Sequence, residues 1–305
     1  MTTFGLGLAA LGRPTYVNVG RDGVHRTVDE LRALAHATLD AAWEAGVRRV
    51  DAARSYGRAE EFLASWLAGD PTRRRDAVVS SKWGYRYTAD WDPDAEVHEV
   101  KEHSLAHFRT QWTQTRALLG APDLYQVHSL TTDSPLFDDG PLQRALADLR
   151  DDGVRLGFST SGPDQPDAVR RGLALEIGGA PLFTAVQSTW NLLETSVGPA
   201  LAEAHDAGAL VLVKEGVANG RLVVDPPAPL AAVAAAHGVG PDAVALAAIA
   251  AQPFVDVVLS GAADPDQLRS NLAPVSLSGD DLDALGALAG PADRYWADRR
   301  AMAWV

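Results

Sequence analysis

The chain contains no cysteine, which excludes disulfides, thiolate metal sites and a cysteine nucleophile. That absence leaves the compartment open, because thiol-free chains suit reducing and oxidising environments alike. Lysine is nearly as scarce: Lys82, Lys101 and Lys214 stand against 24 arginines. Basic residues as a whole are outnumbered 40 to 27 by acidic ones. Neither nucleic acid nor an anionic membrane is therefore expected as a bulk partner. No run approaches the roughly 20 apolar residues that cross a bilayer. The opening MTTFGLGLAALGRP lacks the basic segment and longer apolar core of a signal peptide. The expectation is a soluble cytoplasmic protein, a monomer rather than an obligate oligomer.

What the chain does have is alternation. Short apolar runs at 4–9, 47–51, 77–82, 124–128, 154–159, 183–187, 209–214 and 255–259 read as strands. Helix-period segments at 28–45, 58–68, 95–119, 141–151, 165–173, 197–207, 229–251 and 264–272 lie between or after them. Gly46 and Gly208 sit where helices should end. Pro141 and Pro241 sit at first-turn positions, and Pro241 also divides the seventh segment. Eight strands each followed by a helix, with no compositional break, predict a single (β/α)8 TIM barrel over residues 1–305. An extra C-terminal helix and a tail rich in aromatics begin at about residue 275.

Three polar side chains stand where apolar runs end: Asp51 in VRRVDAARSYG, Lys82 in AVVSSKWG and His128 in DLYQVHS. Tyr56 follows the first. Strand ends of a parallel barrel open on one face, so these groups can converge there. A tyrosine hydroxyl is a poor acid near neutrality, and a neighbouring ammonium stabilises its phenolate and should lower its pKa. Asp51 would hold Lys82 charged, since an unpaired buried ammonium is costly. His128 can orient a substrate carbonyl oxygen. Such groups suit proton transfer while a nicotinamide cofactor delivers hydride. For Asp51 and Lys82 the alternative is an ion pair that only braces the barrel.

The motifs DAARSYG, SSKWG and DLYQVHS, in this order on consecutive strands, resemble the aldo-keto reductases, and the resemblance runs over essentially the whole chain. It implies that Asp51, Tyr56, Lys82 and His128 form the catalytic tetrad. It also implies that NADP(H) or NAD(H) lies across the C-terminal face of the barrel. In GFSTSG, Ser159 matches the serine of the carboxamide site, and Thr160 stands where asparagine is usual. Gln187 matches the glutamine of the same site. The segment LVKEGVANGRL, with Lys214, Glu215 and Val217, corresponds to the pyrophosphate loop, and Lys214 replaces an aromatic ring that often stacks on the nicotinamide. In SGAADPDQLRSNL, Gly261, Gln267 and Asn271 match the adenosine-phosphate segment. The family favours NADP(H) over NAD(H), although here Asp264 and Gln267 leave Arg269 as the nearby cation.

The expected activity is the interconversion of an aldehyde or ketone with its alcohol, with Tyr56 supplying the proton and no metal taking part. Aromatic walls for the small-molecule carbonyl or alcohol substrate are expected from Tyr85, Tyr87, Trp91 and Trp190. Trp296 and Trp304 are tail packing or a lid. Two other readings are a Schiff-base lyase using Lys214 or Lys82 and a non-catalytic redox-sensing subunit that binds NADP. His103 and His107, spaced as HSLAH, are expected on a solvated helix face, and Arg73-Arg74-Arg75 on a surface turn.

Overall fold

A computed structural model describes residues 2–19 and 26–304. Eight parallel strands close on themselves: Thr3–Gly7, Arg49–Asp51, Val78–Trp83, Leu124–Val127, Arg155–Ser159, Ala185–Thr189, Leu210–Lys214 and Val257–Ser260. The last strand bonds back to the first, with Thr3 opposite Val257 and Leu6 opposite Ser260. The fold is thus the expected (β/α)8 barrel.

Alternation along each strand sorts the side chains. Residues 79, 125, 156, 158, 186, 211, 213 and 258 point outward, and most of them join the apolar layer under the helices. Leu124, Ala185, Leu212, Val257 and Leu259 form a separate buried cluster inside the barrel, with Leu259 reaching the cleft at the mouth. Two residues further along the same inward faces stand Gln126, Gln187 and Lys214. The barrel is therefore filled with hydrocarbon below and with polar groups at the C-terminal mouth. That layering is what makes the mouth a place for chemistry.

Several elements depart from the predicted ones. The helix expected over 95–119 begins at Leu105, because Ser104 caps it by accepting from the His107 amide at 3.2 Å. Upstream, Glu99–Lys101 pairs antiparallel with Tyr85–Tyr87 as a hairpin beside the barrel mouth. The arginine run lies in a short helix, Pro71–Asp76, started by Asp70 and Pro71, and not in a turn. The seventh segment, by contrast, is divided at Pro241 as expected, into Ala228–His237 and Pro241–Ala250. The C-terminal region gives the expected helix, Gly279–Gly286, and a second one, Ala292–Arg300. Among the described residues no single helix is long and apolar enough to cross a membrane.

Candidate active site

The register sets the first contacts. Asp51 lies opposite Ser80, and Lys82, two residues on, shares the inward face of Ser80. Ser80 Oγ accordingly donates to Asp51 Oδ1 at 2.7 Å. Lys82 Nζ, wholly buried, pairs with Asp51 Oδ2 and donates to the Ala52 carbonyl at 3.0 Å and to Tyr56 Oη at 3.3 Å. Gln126 and Gln187 reach across the barrel, each donating to Asp51 Oδ1 at 3.2 Å. An ion pair this deep persists only when its remaining hydrogen-bonding capacity is met, and here it is.

Tyr56 is 8% exposed. Burial, and then the Asp51 carboxylate, push its hydroxyl well above the usual tyrosine range. The lowered value expected for this hydroxyl is corrected: desolvation and Asp51 outweigh the lowering influence of Arg13, and the hydroxyl is held protonated. His128 follows the fourth strand, its ring 5.5 Å from Tyr56 and 5.0 Å from Tyr85, edge-on to both. Its Nδ1 lies 3.3 Å from Ser55 Oγ. Burial first, then Lys82 and Lys214, hold its pKa well below the usual histidine value, so the imidazole is neutral at pH 7.

His103 is not on a solvated helix face. It is buried ahead of the helix, with Nε2 2.9 Å from the His128 carbonyl and Nδ1 2.8 Å from Ser134 Oγ. Burial lowers its pKa to about 4. It clamps the backbone that carries His128, just before Ser129 turns to positive φ. Nothing in the HSLAH spacing signalled that role.

The loop that carries Tyr56 is locked to the loop after the first strand. Arg58 N donates to the Gly12 carbonyl at 2.7 Å. A Cβ on Gly12 would stand 2.2 Å from the Tyr56 carbonyl oxygen, and one on Gly57 would stand 2.4 Å from the Gly12 carbonyl oxygen. Only hydrogen at both positions permits this approach. Gly12→Ala is expected to destabilise the fold by about 1–3 kcal/mol and to lower turnover by displacing Tyr56. Urea denaturation beside an activity assay checks this, and an unchanged midpoint would show that the loops tolerate separation.

A cleft opens at the mouth. Asp51, Tyr56 and Gln187 line one part of it. Residues 214–217, Asn219, Ser260, Gly261 and Asn271 line other parts, and Tyr16 and Asn18 border it from the first loop. Asn18 Oδ1 and Asn219 Oδ1 are buried there without a hydrogen-bond partner among the described residues. Buried acceptors of this kind are ready for a polar ligand. Gly261 leaves open space beside it, and Asn271 Nδ2 donates to Ser260 Oγ at 2.8 Å. The arrangement fits a dinucleotide in donor and acceptor chemistry.

The remaining expected cofactor residues divide. Lys214 Nζ donates to Thr189 Oγ1 at 2.7 Å and lies 3.6 Å from Glu215, which Arg299 grips with both guanidinium arms. Burial weakens Glu215 as an acid, but Arg299 and Lys214 outweigh it and hold its pKa at about 2. Ser159 is wholly buried and accepts from the Ser129 amide at 2.9 Å. Thr160 is equally buried and bonds Ser188 at 2.7 Å, so neither lines the cleft. Gln267 is exposed, its Oε1 taken by the Ala263 amide at 3.1 Å. Arg269 pairs with Asp266 on the surface.

Of the aromatic walls, only Tyr85 meets the tetrad. Tyr87 Oη accepts from the Trp91 amide at 3.2 Å, and Trp91 packs edge-on against Phe62. Trp190 is in the outer core against Phe254. Trp296 is buried beside Tyr295, whereas Trp304 stacks on His98 at 4.3 Å. Arg13 escaped sequence reasoning altogether. It is buried over the Tyr56 ring, with its charged carbon 5.3 Å from the centroid.

Known proteins resemble this chain. Among solved structures, aldo-keto reductase AKR11C1 from Bacillus halodurans, in its holo form, superposes with a TM-score of 0.70 at 21% identity, covering 95% of this chain and 92% of that one. The glycerol dehydrogenase AKR11B4 from Gluconobacter oxydans superposes at 0.69 and 21% identity, covering 93% and 90%. In sequence, Protein tas of Escherichia coli is 25% identical over 80% of this chain and 85% of its own. Pyridoxal 4-dehydrogenase of Microbacterium luteolum is 30% identical over 52% of this chain and 51% of its own. The sequence profile of the Aldo/keto reductase family matches residues 5–222. That match covers well over half of the chain, which therefore belongs to the Aldo/keto reductase family.

Proposed function

We propose that the protein is a nicotinamide-dependent oxidoreductase that interconverts a small aldehyde or ketone and its alcohol at the mouth of the barrel. The observation that carries this reading is the contact of Tyr56 Oη with Lys82 Nζ, itself bound to Asp51, on the wall of the cleft at the barrel mouth. A nicotinamide bound there supplies the hydride.

The chain's own groups manage the proton. Tyr56, protonated across the neutral range, gives its hydrogen to the carbonyl oxygen as charge develops there. Lys82, 3.3 Å away, stabilises the phenolate left behind. Asp51, held by three neutral donors, keeps Lys82 in place. Neutral His128, its Nδ1 at Ser55, offers Nε2 to the substrate oxygen and orients it. Lys82 is wholly buried and paired, which works against its serving as a Schiff-base nucleophile.

The names of the relatives suggest the first probes: an aromatic aldehyde of the pyridoxal kind, and glycerol or similar small polyols in the oxidative direction. Cofactor binding is tested by titrating the protein with NADPH and NADH while following its eight tryptophans. Dissociation constants in the micromolar range support the reading. No quenching and no thermal shift in folded protein would refute it.

Lys214 adds a pH signature. Burial, only partly offset by Glu215, lowers its pKa to about 8. Its charged form, which attracts phosphate, dominates below that value. Cofactor affinity is expected to fall severalfold as pH rises from 7 to 9, and Lys214→Met is expected to abolish that slope. An unchanged slope in Lys214→Met would show that Lys214 does not face the phosphates.

A further inference from the structure

Tyr56 has a cation besides Lys82. Arg13 is 2% exposed, and its guanidinium carbon lies 5.3 Å from the Tyr56 ring centroid, against 4.8 Å for Lys82 Nζ. Arg13 Nη1 donates to the Ser55 carbonyl, next to Tyr56, at 3.1 Å and to Glu99 Oε2 at 3.0 Å. Its guanidinium also lies over Tyr16 at 4.9 Å and over Trp304 at 4.7 Å. Trp304 in turn stacks on His98 with its ring planes 8° apart, and it bridges to Val17 through the backbone. The first loop, the hairpin and the C-terminal tail thus meet on one guanidinium.

We propose that Arg13, pinned by Trp304, is a second positive charge acting directly on Tyr56, and that Glu99 moderates it. Two ion pairs then flank the tyrosine: Lys82 with Asp51, and Arg13 with Glu99. A cation over an aromatic ring favours electron density in that ring, and the phenolate has more of it than the phenol. Arg13 therefore eases loss of the hydroxyl proton, and the Glu99 carboxylate works against it. Both act in those directions on the Tyr56 pKa. This deepens the reading of Tyr56 as the proton-transfer group and rests on it. It also gives the C-terminal tail a positioning role, because Trp304 closes the outer side of Arg13.

The consequence is read in the pH profile. Tyr56 is protonated at working pH, and alcohol oxidation rises with pH as its phenolate forms. Arg13→Gln is expected to move the midpoint of that rise up by about one pH unit. Glu99→Gln is expected to move it down. Trp304→Ala should act with the sign of Arg13→Gln, more weakly, and Trp304→Phe should restore wild-type behaviour. The other ionisable groups around the ring (Asp51, Lys82, His128, Tyr16, Tyr85, Lys214 and Glu215) are the same in every variant.

The experiment records the pH profile of alcohol oxidation for these variants, with Tyr56→Phe as the control. It adds an alkaline titration of the tyrosine Cζ resonances in isotope-labelled protein without cofactor, with the Tyr56 signal assigned by its loss in Tyr56→Phe. Opposite shifts of that resonance's midpoint in Arg13→Gln and Glu99→Gln support the proposal. If Tyr56→Phe kills turnover but Arg13→Gln and Glu99→Gln leave the pH profile and that midpoint unmoved, or move them in the same direction, the proposal fails and the functional reading stands. If Tyr56→Phe retains full activity, the functional reading itself fails. Should Arg13→Gln not fold, the Glu99 and Trp304 variants decide alone: an upward midpoint shift for Glu99→Gln, or no effect of Trp304→Ala, overturns it.

Discussion

Tyr56→Phe is expected to lower kcat for carbonyl reduction by at least about a hundredfold, in line with the loss of a positioned general acid, while cofactor affinity changes less than about twofold. The substitution removes one oxygen and little else. Lys82 keeps Asp51 and the Ala52 carbonyl as partners, and the ring still packs edge-on against His128. Folding should therefore survive, and the loss belongs to chemistry. Binding should survive as well, because the Tyr56 hydroxyl is one of many polar groups on the cleft. Stopped-flow reduction beside a fluorescence titration separates the two quantities. Loss of binding together with turnover would make Tyr56 a cofactor residue and not the acid.

Lys82→Met is expected to destabilise the protein by about 3–5 kcal/mol, the range for breaking a buried ion pair from one side. The charge left behind sits on Asp51, which is 3% exposed. Ser80, Gln126 and Gln187 still donate to it, but they do so in the wild type as well and supply no charge to replace the ammonium. The double variant Asp51→Asn with Lys82→Met removes both charges and is expected to recover most of the loss. Chemical denaturation of the single and double variants measures this. Equal stability of Lys82→Met and wild type would mean that the pair contributes nothing to the fold, and its placement would then serve catalysis alone.

Much of this was legible in the sequence because barrel strands announce themselves in two ways. Their apolar runs alternate with helices, and their last inward residues turn polar, as at Asp51, Lys82 and Gln187. The convergence of Asp51, Tyr56, Lys82 and His128 could be read because each sits at a strand end or a fixed step beyond one. What could not be read depends on distant segments meeting. Arg13 lies in a loop without periodicity, and its partners Glu99 and Trp304 are far away in sequence. His103 looked like part of a helix until Ser104 capped that helix one residue later. Trp190 and Trp91 looked like substrate walls because aromatics near strand ends are ambiguous between core and cleft. Position relative to the barrel axis decides that, and sequence spacing does not encode it. The sixth strand runs over Ala185–Thr189 and not 183–187, a shift that apolar runs alone cannot resolve.

The most direct test follows hydrogen. The protein is incubated with an aldehyde and with NADPH or NADH carrying deuterium at the transferable C4 position, and the alcohol is analysed by mass spectrometry. The account predicts one deuterium on the carbinol carbon with wild-type protein and a rate at least about a hundredfold lower with Tyr56→Phe. Protein that is folded and has bound cofactor, yet transfers no deuterium to any of a broad panel of aldehydes and ketones, would contradict it.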